Sequence, residues 1–199
     1  MKIIVVGATG TVGKGVVTAL KSRHEIVQVG KTRGDLQVDI ADSASIRDLF
    51  RRVGRVDAVV ATAGRVHFGP FAQMTEKEMG VGLKDKLMGQ VNLVLIGHEH
   101  VNDGGSFTLT SGLLSHDPIR AGAAASLVNG AIDAFVRAAA IELPRGIRIN
   151  SVSPGLLEES AAPLGGYFLG HEIVPSDRVA RAYQKSVEGA LTGQVFHVL

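Results

Sequence analysis

The chain opens on a short apolar run, Ile3 to Val6, rich in β-branched residues and followed at once by Gly7-Ala8-Thr9-Gly10-Thr11-Val12-Gly13. Beyond the glycines, Val12, Val16, Val17 and Leu20 recur at helical spacing, so the pattern switches from buried strand to amphipathic helix across one tight turn. The same switch repeats along the chain. Strands are expected at Glu25–Val29, Leu36–Ile40, Asp57–Ala61, Ser106–Thr110, Gly146–Val152 and Gln194–Val198. The run Asp57–Ala61 is unbroken after its first residue, which marks a strand covered on both faces. Helices fall between. One follows a cap at Asp42 or Ser43 and carries Ile46, Leu49, Phe50 and Val53 on one side. A second opens on the capping box Thr75-Glu76-Lys77-Glu78 and runs to about Glu99. An alanine-rich third spans Gly122 to Leu143, stopped by Pro144 and Gly146, and a fourth starts at Pro175-Ser176-Asp177 and reaches about Leu191.

Strands alternating with helices from end to end predict an α/β fold. The expected architecture is a single doubly wound (Rossmann) domain over residues 1–199, with a mostly parallel seven-stranded sheet and helices on both faces. Right-handed crossovers then put the ligand crevice at the carboxyl ends of the strands. Residues 156–174 read as irregular. Pro163, Gly165 and Gly166 suggest a bent, mobile segment there.

Composition narrows the picture. The 199 residues are 45% hydrophobic and 20% charged, which is ordinary for one globular domain. Net charge is +2 and no basic run exceeds Arg51-Arg52, so a nucleic-acid partner is not expected. Cysteine is absent, which removes disulfides, thiolate metal sites and cysteine nucleophiles, and fits a reducing, cytoplasmic setting. The apolar run before the first glycines is too short for a signal peptide, and no stretch looks long enough to span a membrane. His67, His98 and His100 show no metal-ligand spacing with a third ligand nearby.

The first turn carries the strongest chemical signal. Gly7 lets the chain turn after the strand, Gly10 lets backbone approach phosphate oxygens, and Gly13 lets the helix pack on the strand. The helix start offers unpaired N–H groups to an anion. A ligand-free turn needs fewer glycines. The arrangement therefore points to a dinucleotide's pyrophosphate, with Gly7, Thr9, Gly10, Thr11, Val12 and Gly13 as its contacts.

Taken in order, several stretches resemble the short-chain dehydrogenase/reductase family over nearly the whole chain. The glycine motif has the spacing of that family's extended and atypical branches. Asp39-Ile40 is similar to its adenine-contacting pair, and Ala61-Thr62-Ala63-Gly64 sits where the family often has Asn-Asn-Ala-Gly. Thr110-Ser111 ends the strand that carries the family's active-site serine. The segment from Pro144 through Pro154-Gly155 resembles its nicotinamide-side Pro-Gly, and Thr192-Gly193-Gln194 resembles its C-terminal Thr-Gly-Gln. The resemblance implies a nicotinamide cofactor, a small-molecule substrate, a lid over 156–174, and a homodimer or homotetramer through the helices at 76–99 and 122–143. An acidic residue at the end of the second strand would favour NAD(H). Gly30-Lys31-Thr32-Arg33 stands there instead, and two cations suit a 2′-phosphate, so NADP(H) is preferred over NAD(H).

The resemblance breaks at the chemistry. The family uses a tyrosine as general acid or base, four residues before a lysine that holds the ribose. Aligned here, those places carry Ala125 and Asn129, leaving Asn129 to hydrogen-bond the ribose. The family's helical asparagine falls near Gly82 or Lys84. Ser111 remains as the catalytic candidate, positioning a substrate oxygen, and serine alone is a poor acid. Lys84 and Lys86 lie on the helix flanking the expected site; a lysine there could donate a proton if desolvation lowered its pKa, but two solvated helix lysines are the expectation. Tyr167, His171 and His116 lie in loops near the expected site, where a structural role outweighs a chemical one. Two functions stay open: an NADP(H)-dependent oxidoreductase with an altered catalytic set, acting on a small carbonyl or alcohol, and a non-catalytic NADP(H)-binding sensor or regulator.

Overall fold

The computed structural model describes residues 1–199, with the side chain of Pro163 left out; the expectation drawn from that proline lies outside the described residues. The chain runs β1 (Lys2–Val6), α1 (Thr11–Leu20), β2 (Glu25–Gly30), β3 (Leu36–Gln37), α2 (Ser43–Val53), β4 (Val56–Ala61), α3 (Glu76–Gly82), α4 (Met88–Gly97) and β5 (Val101–Thr110). It continues through α5 (Ala123–Glu142), β6 (Arg148–Pro154), β7 (Leu156–Leu157), α6 (Glu158–Leu164), β8 (Ile173–Val174), α7 (Ser176–Glu188) and β9 (Val195–Val198). Seven strands form one sheet in the order β3-β2-β1-β4-β5-β6-β9, and every pairing is parallel. This is the doubly wound architecture, and the order reverses direction between β1 and β4.

Alternation along β1 divides the core. Ile4 and Val6 face one side and join Phe50, Leu93, Val128 and Ile132 from α2, α4 and α5. Ile3 and Val5 face the other and meet Val16, Leu20, Val179 and Tyr183 from α1 and α7. A strand covered on both faces can be apolar at every position, which is why β1 and β4 show no polar alternation.

The structure corrects several boundaries. β3 stops at Gln37, because it is an edge strand and the chain turns away: the Asp39 N–H bonds the Ser45 hydroxyl at 3.0 Å instead of continuing a ladder. The expected helix from Thr75 to Glu99 is interrupted. Its capping box is present, but Leu83–Leu87 form a π-turn between α3 and α4, with the Met88 N–H reaching back to the Leu83 carbonyl. β5 begins at Val101, five residues earlier than the apolar run suggests, across a bulge against β4 and through Gly104 and Gly105. Residues 156–174 are not irregular throughout: β7 and β8 pair in parallel and flank α6. The expectation that no stretch is long enough to span a membrane also needs correction. By length and composition α5 qualifies, yet it lays Ala124, Val128, Ile132 and Val136 against the sheet and carries Asp133, Arg137 and Glu142.

Candidate active site

At the carboxyl end of β1 the glycines act as expected. Gly7 adopts φ +86°, and a Cβ on Gly13 would lie 2.1 Å from the Gly7 carbonyl oxygen, so α1 seats directly on the turn. The Gly7 and Ala8 N–H groups are spent on Val29 of β2, at 2.7 and 3.2 Å. α1 has Gly10 as its N-cap and, among the described residues, no side-chain cap, so its first-turn amides at Thr11 and Val12 are left for another acceptor. A Cβ on Gly10 would meet only the Gly7 carbonyl, so that approach is open to a ligand. An uncapped helix start behind a glycine cradle at the switch point fits a nicotinamide dinucleotide's pyrophosphate.

Beside it lies a cleft of about 190 Å³, lined by Gly7, Gly30, Lys31, Asp39, Ile40, Ala63, Gly64 and Arg65 among others. It brings together most of the residues expected at the cofactor. Thr9 lies toward the same end, its hydroxyl near Gly30. Lys31 is not free: its ammonium pairs with the Asp39 carboxylate at 2.7 Å. That bond, then the Ala41 N–H, hold the Asp39 carboxyl below the usual range. Arg33 is exposed without an ion pair among the described residues, and Thr32 takes Gln37 on its carbonyl. A neighbouring hollow adds cations that the sequence reading did not place at the cofactor, with Arg65, Lys77 and Lys84 on its walls.

Ala61 and Thr62 face inward instead. Ala61 is buried and its carbonyl accepts from the Thr110 hydroxyl at 2.6 Å. Thr62 spends its N–H and its hydroxyl on the Val6 carbonyl, at 2.8 and 2.9 Å. Both hold the crevice's frame. Pro154 is buried at the end of β6, and Gly155 lines a second cavity, of about 440 Å³, with Leu113, Asp117, Leu169, His171 and Leu199.

Ser111 stands one residue beyond β5. Its N–H bonds the Val152 carbonyl at 3.0 Å, it is 2% exposed, and its Oγ has no partner among the described residues. A buried hydroxyl without a partner costs free energy unless a ligand completes it. The end of β5 is fixed around it. Thr110 takes both ends of the buried Gln90 amide, and its hydroxyl meets Tyr183 Oη at 2.5 Å. Burial pushes the Tyr183 phenol well above its usual range, against the smaller pull of Thr110, so it is a packing group.

The largest departure from the sequence reading is Lys86. Lys84 is exposed as expected, but Lys86, in the π-turn, turns inward. Its Nζ donates to the Ser111 carbonyl at 2.7 Å and to Asn129 Oδ1 at 2.6 Å. Room for it comes from Gly64, at φ +143°, where a Cβ would lie 2.6 Å from Lys86 Cγ. Burial pulls the Lys86 ammonium down to about 8, while Asp133 on α5 works against that shift. Asn129 is therefore engaged with a lysine, and the cation beside Ser111 comes from the α3–α4 helix and not from α5. Ala125 is 2% exposed and offers no proton. The loop candidates are held elsewhere: Tyr167 packs on Phe68 with ring centroids 6.3 Å apart, His171 lies 3.2 Å from Asp117, and His116 meets His197 edge-on at 4.5 Å. The first two contacts tie the 156–174 segment to the loops after β4 and β5.

A doubly wound dinucleotide fold with a serine at the end of its fifth strand defines the class, and the comparisons agree. The chain belongs to the short-chain dehydrogenase/reductase family: residues 8–168 match the family model described as enoyl-(acyl carrier protein) reductase. A short-chain dehydrogenase/reductase of Pestalotiopsis microspora is 30% identical over 144 residues, covering 69% of this chain and 54% of that protein. The chain spans about half the length of the curated relatives it matches, 54% and 52% for two of them. Among solved structures, protein lin1944 of Listeria innocua superposes with a TM-score of 0.99 at 47% identity, covering 100% of both chains. A small-chain dehydrogenase in complex with NADPH gives a TM-score of 0.88 at 25% identity over 100% of this chain and 96% of that one.

Proposed function

We propose that this protein is an NADP(H)-dependent oxidoreductase acting on a small carbonyl or alcohol, with Ser111 orienting the substrate oxygen. The observation that carries the reading is the buried Ser111 hydroxyl, without a partner among the described residues, beside the partly buried Lys86 ammonium. A substrate oxygen would complete both. The nicotinamide supplies hydride chemistry when bound, and the fold supplies orientation and electrostatics. The similar dehydrogenase with NADPH, and four cations against two carboxylates around the hollow beside Gly80 and Val81, support the phosphorylated nucleotide. A cavity of about 440 Å³ next to Gly155 suits a small substrate.

A second reading, a non-catalytic NADP(H)-binding sensor, draws on Ala125, which leaves no phenol at that point of α5. Purified protein mixed with NADPH and a panel of small aldehydes and ketones separates the two. Oxidation of NADPH that Ser111→Ala abolishes supports the enzyme. Tight NADPH binding with no turnover across the panel supports the sensor. We further propose that the chain works as a homodimer or homotetramer through the outer faces of α4 and α5.

A further inference from the structure

We propose that Lys86 is the proton donor of the reaction, its ammonium held by the Ser111 carbonyl and the Asn129 amide so that its third N–H meets the substrate oxygen beside Ser111 Oγ. The inference rests on the oxidoreductase reading and assigns a part that Ser111 cannot play, since a serine alone is a poor acid.

Three independent observations converge on this lysine. Two of its three N–H groups are committed at 2.7 and 2.6 Å, which fixes the ammonium and leaves one donor. The hydroxyl of the residue whose carbonyl it grips is buried without a partner. The chain is shaped to let the side chain pass: a π-turn widens the helix at Leu83–Leu87, and Gly64 takes a conformation with no Cβ in the way. A lysine that merely filled space would not need such a path. The other candidate acids have their own neighbours: Tyr183 is buried behind Thr110, Tyr167 packs on Phe68, His116 lies against His197, and His171 lies 3.2 Å from Asp117.

The charged groups around Lys86 set its titration. Asp133 faces it from α5 and favours the ammonium. On its own helix lie Lys84, exposed, and Asp85, whose carboxylate is matched by Arg65 of the loop after β4 at 3.1 Å. Burial outweighs Asp133 and brings the group down to about 8, near the pH at which a general acid is most effective.

In reduction, the carbonyl carbon gains the hydride given up by the dihydronicotinamide, and the carbonyl oxygen gains a proton as the Lys86 N–H bond breaks. The neutral amine then takes a proton from water, so each turnover consumes one solvent proton. In oxidation the neutral amine receives the hydroxyl proton.

The test compares wild type with Lys86→Met and Lys86→Arg. Calorimetry with NADPH should give dissociation constants within about threefold for all three, while kcat for Lys86→Met falls at least about a hundredfold. The wild-type kcat for reduction should fall as pH rises through about 8, and Lys86→Met should lack that limb. A second measurement needs no turnover: reductive methylation with [¹³C]formaldehyde, with the Lys86 resonance identified by its loss in Lys86→Arg. A titration midpoint near 8 supports the assignment, and one near the ordinary lysine value of about 10.4 overturns it. An active wild type with an equally active Lys86→Met overturns the donor alone. A wild type that binds NADPH but reduces no carbonyl overturns the oxidoreductase reading and the donor together.

Discussion

The side-chain amide of Gln90 bonds both backbone groups of Thr110: Oε1 accepts from the N–H at 2.7 Å and Nε2 donates to the carbonyl at 2.9 Å. Gln90 is fully buried on α4, so it takes the place of a neighbouring strand at the last residue of β5. The next residue is Ser111, and the amide thereby fixes the height at which the serine leaves the sheet. Gln90→Leu keeps the volume and removes both bonds. Unpaired buried backbone groups cost roughly 1–3 kcal/mol each, so losing partners for two should lower the unfolding free energy by about 2–6 kcal/mol. Urea unfolding checks this, and an unchanged midpoint would show that Thr110 finds other partners.

What the sequence revealed, and what it hid, follows from the range of the interactions. β1, the glycine turn and α1 are local: apolar periodicity, turn chemistry and helix start agree within twenty residues, and the doubly wound fold follows from repeats of that unit. Ser111 is legible because it ends an apolar strand. Lys86 is not. In Leu83-Lys84-Asp85-Lys86 it reads first as a surface charge and as a donor only if desolvated, and that desolvation depends on Gly64, Ser111 and Asn129, all distant in sequence. Gln90 is likewise one polar residue in an apolar helix, with a role set twenty residues away. The first half of β5, Val101-Asn102-Asp103-Gly104-Gly105, has no apolar alternation; only Val101 pairs with β4 there, opposite Val56, and the ladder resumes at Ser106.

The Lys31–Asp39 pair bears on cofactor choice. At 2.7 Å, with side chains 60% and 39% exposed, it is a solvated bridge of small net value. A 2′-phosphate can therefore draw Lys31 away at little cost, while Arg33 supplies a second, uncommitted cation. Replacing both by alanine should weaken NADPH at least about tenfold, or 1.4 kcal/mol, and change NADH by less than about threefold. Asp39→Asn should tighten NADPH severalfold, because it frees Lys31 and removes a like charge. Calorimetry with both nucleotides measures the two effects, and equal losses for NADPH and NADH in the double variant would remove the phosphate assignment.

Glu188, at the end of α7, predicts an acid-range dependence of stability. Burial raises its carboxyl, but bonds from His24, Gln184 and Arg23 outweigh that and hold it at about 2, against an ordinary 4.5. A group depressed in the folded state contributes stability above its unfolded value, and the contribution is lost as pH falls through the folded one. Wild type should therefore exceed Glu188→Gln by about 1–3 kcal/mol above pH 5, a range that allows for the half-exposed Arg23 partner. The gap should close between about pH 4.5 and 2. Denaturant unfolding at stepped pH checks it, and a gap independent of pH would assign the effect to packing between α1 and α7.

The outer surfaces of α4 and α5 carry the assembly prediction. Met88 and Leu95 project from α4, with Leu95 56% exposed. Leu127 and Ile141 project from α5, with Ile141 87% exposed, and the two helices flank an apolar groove lined by Val94, Phe135, Ala138 and Leu143. Leu127, Ala134, Ala138 and Ile141 recur every three, four or seven residues, so they form one stripe. Large apolar side chains in one exposed stripe favour a partner helix surface over water, and the alanines between them permit close approach. A two-fold copy of the same face meets this need, since it is self-complementary by symmetry. Leu95→Lys with Ile141→Glu should shift sedimentation equilibrium at micromolar concentration from dimer or tetramer to monomer. The melting temperature of the monomer should then become independent of protein concentration. A wild type that sediments as a monomer at these concentrations would overturn the assembly outright. An unchanged dimer in the double variant would move the interface to another face.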